Sequence, residues 1–394
     1  MSLVNETCHN TMQDAATQSA FNFDERVDRQ GTYAFKWEKY QGQDILPMWV
    51  ADTEFKIAPA ISQALQAHLA HSVLGYHLPS QHVPANAAVV HWCEQQYGWT
   101  IDPEWIVWTP GVCPAFNMAV RAFCPKGETT LVQTPNYPPL LAAPANQGAQ
   151  SLEVPTIWED GKWMIDLDAL AKAAQAPEAK LFIMCNPMNP VGSVLSEAHL
   201  TQIAEICAAN DVILCSDEIH CDLILDDFPH LPAGAQPALQ DRSITLMAAN
   251  KTFNVAGLGA SFAIIPNPQI RRRFSRAGQG MVPWVNIMGL IATEAAFTRC
   301  DAWLAAQKAY LKANRDHLTT AINNIPGLKA SAPQATFLLW VDASGLGVED
   351  VQKWAESKGV GPSPGIDFGD KRFFRLNYGV SRAMLDEVIT RLQQ

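Results

Sequence analysis

A lysine, Lys251, stands between the apolar run "SITLMAAN" and the glycine-containing stretch "TFNVAGLGASFA". Lysine is rarely buried without a partner or a task, and an amine at the end of an apolar run could form a Schiff base with a carbonyl. Four other apolar runs end in residues with chemistry of their own: Gly111 to Pro114 follow "WIVWT", Tyr137 follows "TTLVQTP", Asn186 to Gly192 follow "KLFIM", and Asp217 follows "DVILCS". The set holds turn glycines, an aromatic ring, an amide, a carboxylate and an amine. Each member alone has an ordinary explanation. Lys251 is a loop lysine, "NPMNPVG" a turn, and "TPGVC" a weak phosphate-loop signal. "SDEIH" could cap a helix or, with Cys221 and Asp222, ligate a metal; strand-end alternation sends those side chains to opposite sides, so no metal is expected.

What must position these residues is a series of short apolar runs alternating with helical segments from about Trp105 onward. In "SEAHLTQIAEICAAN" Leu200, Ile203, Ile206 and Cys207 recur at helical spacing behind a Ser196 cap. Continuous apolar strands separated by helices imply a mostly parallel sheet covered on both faces. In such a sheet ligands sit beyond the carboxyl ends of the strands, where all five loops lie. The pattern weakens before about residue 48 and after about 290. There "ATEAAFTRCDAWLAAQKAYLKANRDHLTTAINN" reads as one long helical stretch, followed by strand-like "ATFLLWVD" and "FFRLNYG" and a final helix, which together make a smaller α+β domain.

A chain of 394 residues with 48% hydrophobic and 17% charged residues belongs with ordinary globular proteins of two or so domains. Its net charge of −11 disfavours a nucleic-acid partner; Arg271, Arg272, Arg273 and Arg276 suit a solvated helix face. Nine cysteines without a CxxC spacing fit reduced thiols in a cytoplasm. The opening stretch "MSLVNETCHNTMQDAATQSA" lacks the basic start and apolar run of a signal peptide, and no run is long enough for a membrane helix. A cytoplasmic protein with no membrane association is expected.

Taken in order, "LPMWVADTEF", "LGYHLP", "NPMNPVG", "SDEIHCDL", "ANKTFNVAGL" and "FFRLNYG" resemble the pyridoxal-phosphate enzymes of fold type I. More narrowly, the chain is similar to the cystathionine β-lyase or C–S lyase branch related to class I and II aminotransferases. "KWxxY" from Lys36 to Tyr40, "MWVAD" and "DEIHCD" favour that branch. The resemblance covers about residue 23 to about 379. It implies an α/β fold: a large cofactor-binding domain (48–290) with a mostly parallel, seven-stranded-type sheet, an N-terminal segment (1–47) packing with the small domain, and a small C-terminal α+β domain (291–394).

The resemblance also implies roles. Lys251 would hold pyridoxal 5'-phosphate as a Schiff base and, once displaced, remove the substrate Cα proton. Asp217 would pair with the pyridine nitrogen, Asn189 and His220 would lie at the phenolic oxygen, and Tyr137 would stack on the ring. The phosphate would rest on the backbone of Gly111, Val112 and Cys113 at a helix start, with Asn250 and with Tyr76 from the neighbouring subunit. That makes a homodimer with shared active sites. Arg375 would clamp a carboxylate of the amino-acid substrate, with Arg372 its rival. Ala248 and Gly259 depart from a phosphate-binding hydroxyl and arginine found in many relatives, so weaker phosphate binding is expected.

The activity expected is α,β-elimination of L-cystathionine or a related cysteine thioether to a thiol, pyruvate and ammonia. An aminotransferase acting on an L-amino acid and a catalytically weak binding or regulatory protein on the same fold are the alternatives.

Overall fold

The protein is described from a computed structural model covering residues 21–394. The signal-peptide reading of the opening stretch, and Cys8, lie outside these residues.

The main sheet has eight strands: β1 (Ile106–Thr109), β2 (Thr129–Thr134), β3 (Gln150–Glu159), β4 (Lys162–Ile165), β5 (Ala179–Cys185), β6 (Ile213–Asp217), β7 (Ser243–Met247) and β8 (Ser261–Ile264). Their order is β1-β8-β7-β6-β5-β2-β3-β4. The pairs among β7, β6, β5, β2 and β3 are parallel, whereas β8 runs against both β7 and β1, and β4 against β3. A mostly parallel sheet is therefore present, with eight strands rather than seven. The extra strand is β4, whose "KWMI" pairs only with β3 through a turn at Asp160 and Gly161.

Alternation along the strands explains why they read as continuous apolar runs. Leu131, Phe182, Met184 and Leu214 join the helices Leu167–Ala174 and Glu197–Ala209 on one face. Their neighbours Val132, Ile183 and Cys215 join Phe116, Ile270 and Phe274 of the helices Val112–Phe123 and Pro268–Gly278 on the other. Ser196 caps the helix Glu197–Ala209 by accepting from the His199 N–H.

The expected long helix after residue 290 is two helices, Ile287–Arg299 and Asp301–Asn323, broken at Cys300 with φ −120°. A second sheet follows, formed by β9 (Lys329–Ala330), β10 (Leu338–Asp342), β11 (Ser363–Pro364) and β12 (Phe373–Asn377) in the antiparallel order β9-β10-β12-β11. Leu46 and Pro47 pair with Val360 and Gly361, and Phe23 packs against Trp303 and Tyr310.

Among the described residues no helix is long and apolar enough to cross a membrane, the eight cysteines are free thiols, and no group of three or more His, Cys, Asp or Glu side chains is placed to hold a metal ion. Two arginines of the basic run are occupied: Arg271 donates to the Ile265 and Pro266 carbonyls, and Arg273 lies over the Phe123 ring.

Candidate active site

Because β1, β2, β5, β6 and β7 point the same way, their carboxyl ends open onto one edge of the sheet. There lies a cavity of about 280 Å³. Gly111, Val112 and Cys113 line it from the loop after β1, and Tyr137 from that after β2. Asn189 comes from the loop after β5, Asp217 and His220 from the end of β6, and Asn250 and Lys251 from the loop after β7.

Asp217 ends β6, 2% exposed, and Oδ1 accepts the Ile219 N–H at 3.2 Å. No cation lies within ion-pair distance of it among the described residues. Burial drives its carboxyl up to about 7, against the pull of the Ile219 N–H and of Lys251. The Lys251 Nζ donates to the Ala51 carbonyl at 2.7 Å. Burial lowers the amine, as does Arg375, while Asp52, Cys113 and Asp217 oppose the shift. His220, 1% exposed, is held neutral: burial and the cations Lys251 and Arg375 push its imidazole well below the usual range, and its Nδ1 has no hydrogen-bond partner. Burial and Cys113 raise the Tyr137 phenol, whose hydroxyl lies 3.8 Å from the Cys113 Sγ.

Gly111 is the N-cap of the helix Val112–Phe123, with no side chain capping it. The first amides of that helix are left for an anion. Ala248 is buried in the same apolar cluster as Val112. Gly259 has φ +57°, and a Cβ there would lie 3.3 Å from the Pro110 carbonyl oxygen, so a side chain at this position would be strained.

Arg375, on β12, reaches the site from the second sheet. It is 4% exposed. Nη1 donates to the Asn189 Oδ1 at 2.8 Å, and Nη2 to the Trp49 carbonyl at 2.7 Å and the Ser363 Oγ at 3.1 Å. The Phe368 ring covers it at 4.7 Å. It has no carboxylate partner among the described residues, its Nε is unpaired, and burial lowers it to about 10. Its rival Arg372 is exposed and bonded to Asp370 at 3.0 Å. Tyr76 does not join the cavity of its own chain; it is fully exposed.

Ala51, Cys185, Ile219 and Ala256 also line the cavity, and none was singled out from sequence. The backbone carbonyl, the part of Ala51 that matters, leaves no trace in residue type. Its position within "MWVAD" was the one available signal.

The charged and polar groups of the site fit pyridoxal phosphate together with an amino-acid substrate. A buried carboxylate without a cation fits a protonated ring nitrogen, an amine fits an aldehyde, uncapped helix amides fit a phosphate, and an arginine without an acid fits a substrate carboxylate. An amine and a lone carboxylate facing one cavity at the carboxyl edge of a mostly parallel sheet define an enzyme of α/β architecture.

The profile of the family "Aminotransferase class I and II" matches residues 49–392, and the chain belongs to that family. Cystathionine beta-lyase PatB of Bacillus subtilis (strain 168) is 36% identical over 384 residues, spanning 94% of this chain and 99% of its own. The crystal structure of OvoB superposes with a TM-score of 0.91 and 43% identity, covering 94% of this chain and 98% of that one. Cystalysin from Treponema denticola, whose structure contains a pyridoxal 5'-phosphate cofactor, has a TM-score of 0.90 and 31% identity, covering 95% and 98%.

Proposed function

We propose that this chain is a pyridoxal-phosphate-dependent C–S β-lyase that cleaves L-cystathionine or a related cysteine thioether. With water, the thioether becomes a thiol, pyruvate and ammonia. The observation that carries the reading is the uncompensated Asp217 carboxyl facing the same cavity as the Lys251 amine, in a chain whose relatives are named cystathionine β-lyases.

When bound, the cofactor supplies an aldehyde for the amino group and a protonated ring that accepts the electron pair released at Cα. The chain does the rest. Arg375 grips the substrate carboxylate through its free guanidinium edge and fixes the Cα–H bond in orientation. Lys251, with its amine lowered by burial, is able to act as a neutral base and take the Cα proton. Asp217 keeps the ring nitrogen protonated. Because an arginine only donates, Asn189 must accept through Oδ1, which leaves its Nδ2 for the ring oxygen. Neutral His220 lies beside it, and Tyr137 holds the ring flat. Gly111, Val112, Cys113 and Asn250 hold the phosphate.

The same reading makes the chain a cytoplasmic homodimer, with the partner's Tyr76 completing each phosphate site. Its support is the exposure of Tyr76 together with Val73 and Leu74. Residues 48–290 form the cofactor domain and 291–394 the small domain. The N-terminal segment, 1–47, packs with the latter, as the pairing of Leu46 with Val360 suggests.

The test is incubation of the purified, cofactor-saturated chain with cystathionine, following pyruvate and free thiol together. Equal amounts of both, formed with no keto-acid acceptor added, support the reading. Keto-acid-dependent amine transfer without pyruvate overturns it in favour of an aminotransferase, and no visible cofactor band favours a binding protein.

A further inference from the structure

The segment from Trp49 to Phe55 has no helix or strand of its own, yet it seats both basic side chains of the site. The Trp49 carbonyl receives Arg375 and the Ala51 carbonyl receives Lys251. Two carboxylates follow, Asp52 and Glu54, both turned away from the cavity into a cluster with two cations. Arg29 reaches Asp52 at 2.8 Å and Glu54 at 3.1 Å. Lys36 reaches Glu54 at 2.7 Å and Asp52 at 3.6 Å, and donates to the Asp52 carbonyl at 3.3 Å. Lys36 is 0% exposed, on a single-turn helix, Phe35–Glu38.

A lysine ammonium held wholly out of water is costly unless its charge is balanced, and here two cations balance two carboxylates. Packing alone does not call for such a quartet. Apolar side chains would cover the strap at lower cost, and the Asn377 and Asn254 side chains already bond its backbone. What the quartet adds is a directional hold on residues 52 and 54, immediately beside the carbonyl that receives Lys251.

We propose that Arg29 and Lys36 are positioning residues: by gripping Asp52 and Glu54 they set the Trp49 and Ala51 carbonyls that seat Arg375 and Lys251. The proposal rests on the roles given to those two residues above. Neither cation touches the substrate. They act through the strap, and loosening it misplaces the carboxylate grip more than it alters the proton transfer.

The experiment compares the full chain with R29M, K36M and K36R in two readouts: hydrogen–deuterium exchange of the peptide spanning 48–55, and KM and kcat for cystathionine or for whichever amino acid the wild type turns over. In R29M and K36M the strap peptide should exchange about tenfold faster while the β5 and β6 peptides stay unchanged. KM should rise by about fivefold or more, exceeding any fall in kcat, and K36R should restore both. Unchanged strap exchange and KM in folded R29M would overturn the proposal, and so would acceleration shared equally by β5 and β6. Arg29 is partly exposed, its side chain at 23%, so R29M decides the matter if K36M does not fold. If the wild type turns over no amino acid, the lyase reading fails and the exchange result alone decides this one.

Discussion

The Arg375 Nη1 donates to the Asn189 Oδ1 at 2.8 Å, so the group assigned to the substrate carboxylate is braced by the group assigned to the cofactor ring. The two residues come from different sheets, Arg375 from β12 and Asn189 from the loop after β5. Any movement of the second sheet therefore reaches Asn189 through one hydrogen bond. Asn377, two residues along β12, reinforces the link by donating to the Val50 and Asp52 carbonyls at 2.6 Å each.

Arg375→Lys keeps the charge and loses the fork. A lysine reaches one of the three acceptors, Asn189, Trp49 or Ser363, and offers a single point to a carboxylate. The expected result is a KM for the amino-acid substrate about 10- to 100-fold higher, the cost of a charge-assisted hydrogen bond, with kcat reduced less. Steady-state kinetics at saturating cofactor measure the split.

Asp217→Asn is nearly isosteric and removes the negative charge assigned to the ring nitrogen. The fold and the visible cofactor band should persist, since Lys251 and the helix amides are untouched. Turnover should fall about 10²- to 10³-fold, as when one preorganised electrostatic partner is lost. Retained turnover would show that the carboxylate does not face the ring.

The same carboxyl makes the cofactor-free chain sensitive to pH. Its folded value of about 7 stands above the ordinary 3.8, so between those values the folded state binds more protons than the unfolded one. The stabilisation is full below the ordinary value and is lost as pH rises through about 7, an effect on the order of 4 kcal/mol. Urea midpoints at about pH 5 and about pH 8 should differ more for wild type than for D217N, whose amide does not titrate. Pyridoxal phosphate should shrink the difference by bringing a cation to the carboxylate.

Gly192 closes the "NPMNPVG" loop with φ +73°, and a Cβ there would lie 2.2 Å from the Pro333 Cβ. Gly192→Ala should destabilise the protein by about 1–3 kcal/mol, since the position is both left-handed and overpacked. Urea unfolding measures this. The Gly192 N–H donates to Met188 and its carbonyl accepts from Ala335, so the shift also disturbs the adjacent Asn189 and should raise KM in the same variant.

The sequence by itself determined the parts governed by local chemistry and by strand and helix period. The strands of the cofactor sheet were legible as apolar runs because both faces are buried. The loops after β1, β2, β5, β6 and β7 were legible because turn residues and chemically distinctive side chains mark where those runs end. Nine of the eleven singled-out residues line one cavity for that reason. Only the tertiary structure decided the rest. The break at Cys300 and the reversed direction of β8 depend on what each element packs against. That Arg375 rather than Arg372 is buried follows from strand alternation combined with the placement of the second sheet over Asn189. The seat of Lys251 is a backbone carbonyl 200 residues away, and backbone groups are the same in every residue, so long-range folding alone brings that pair together.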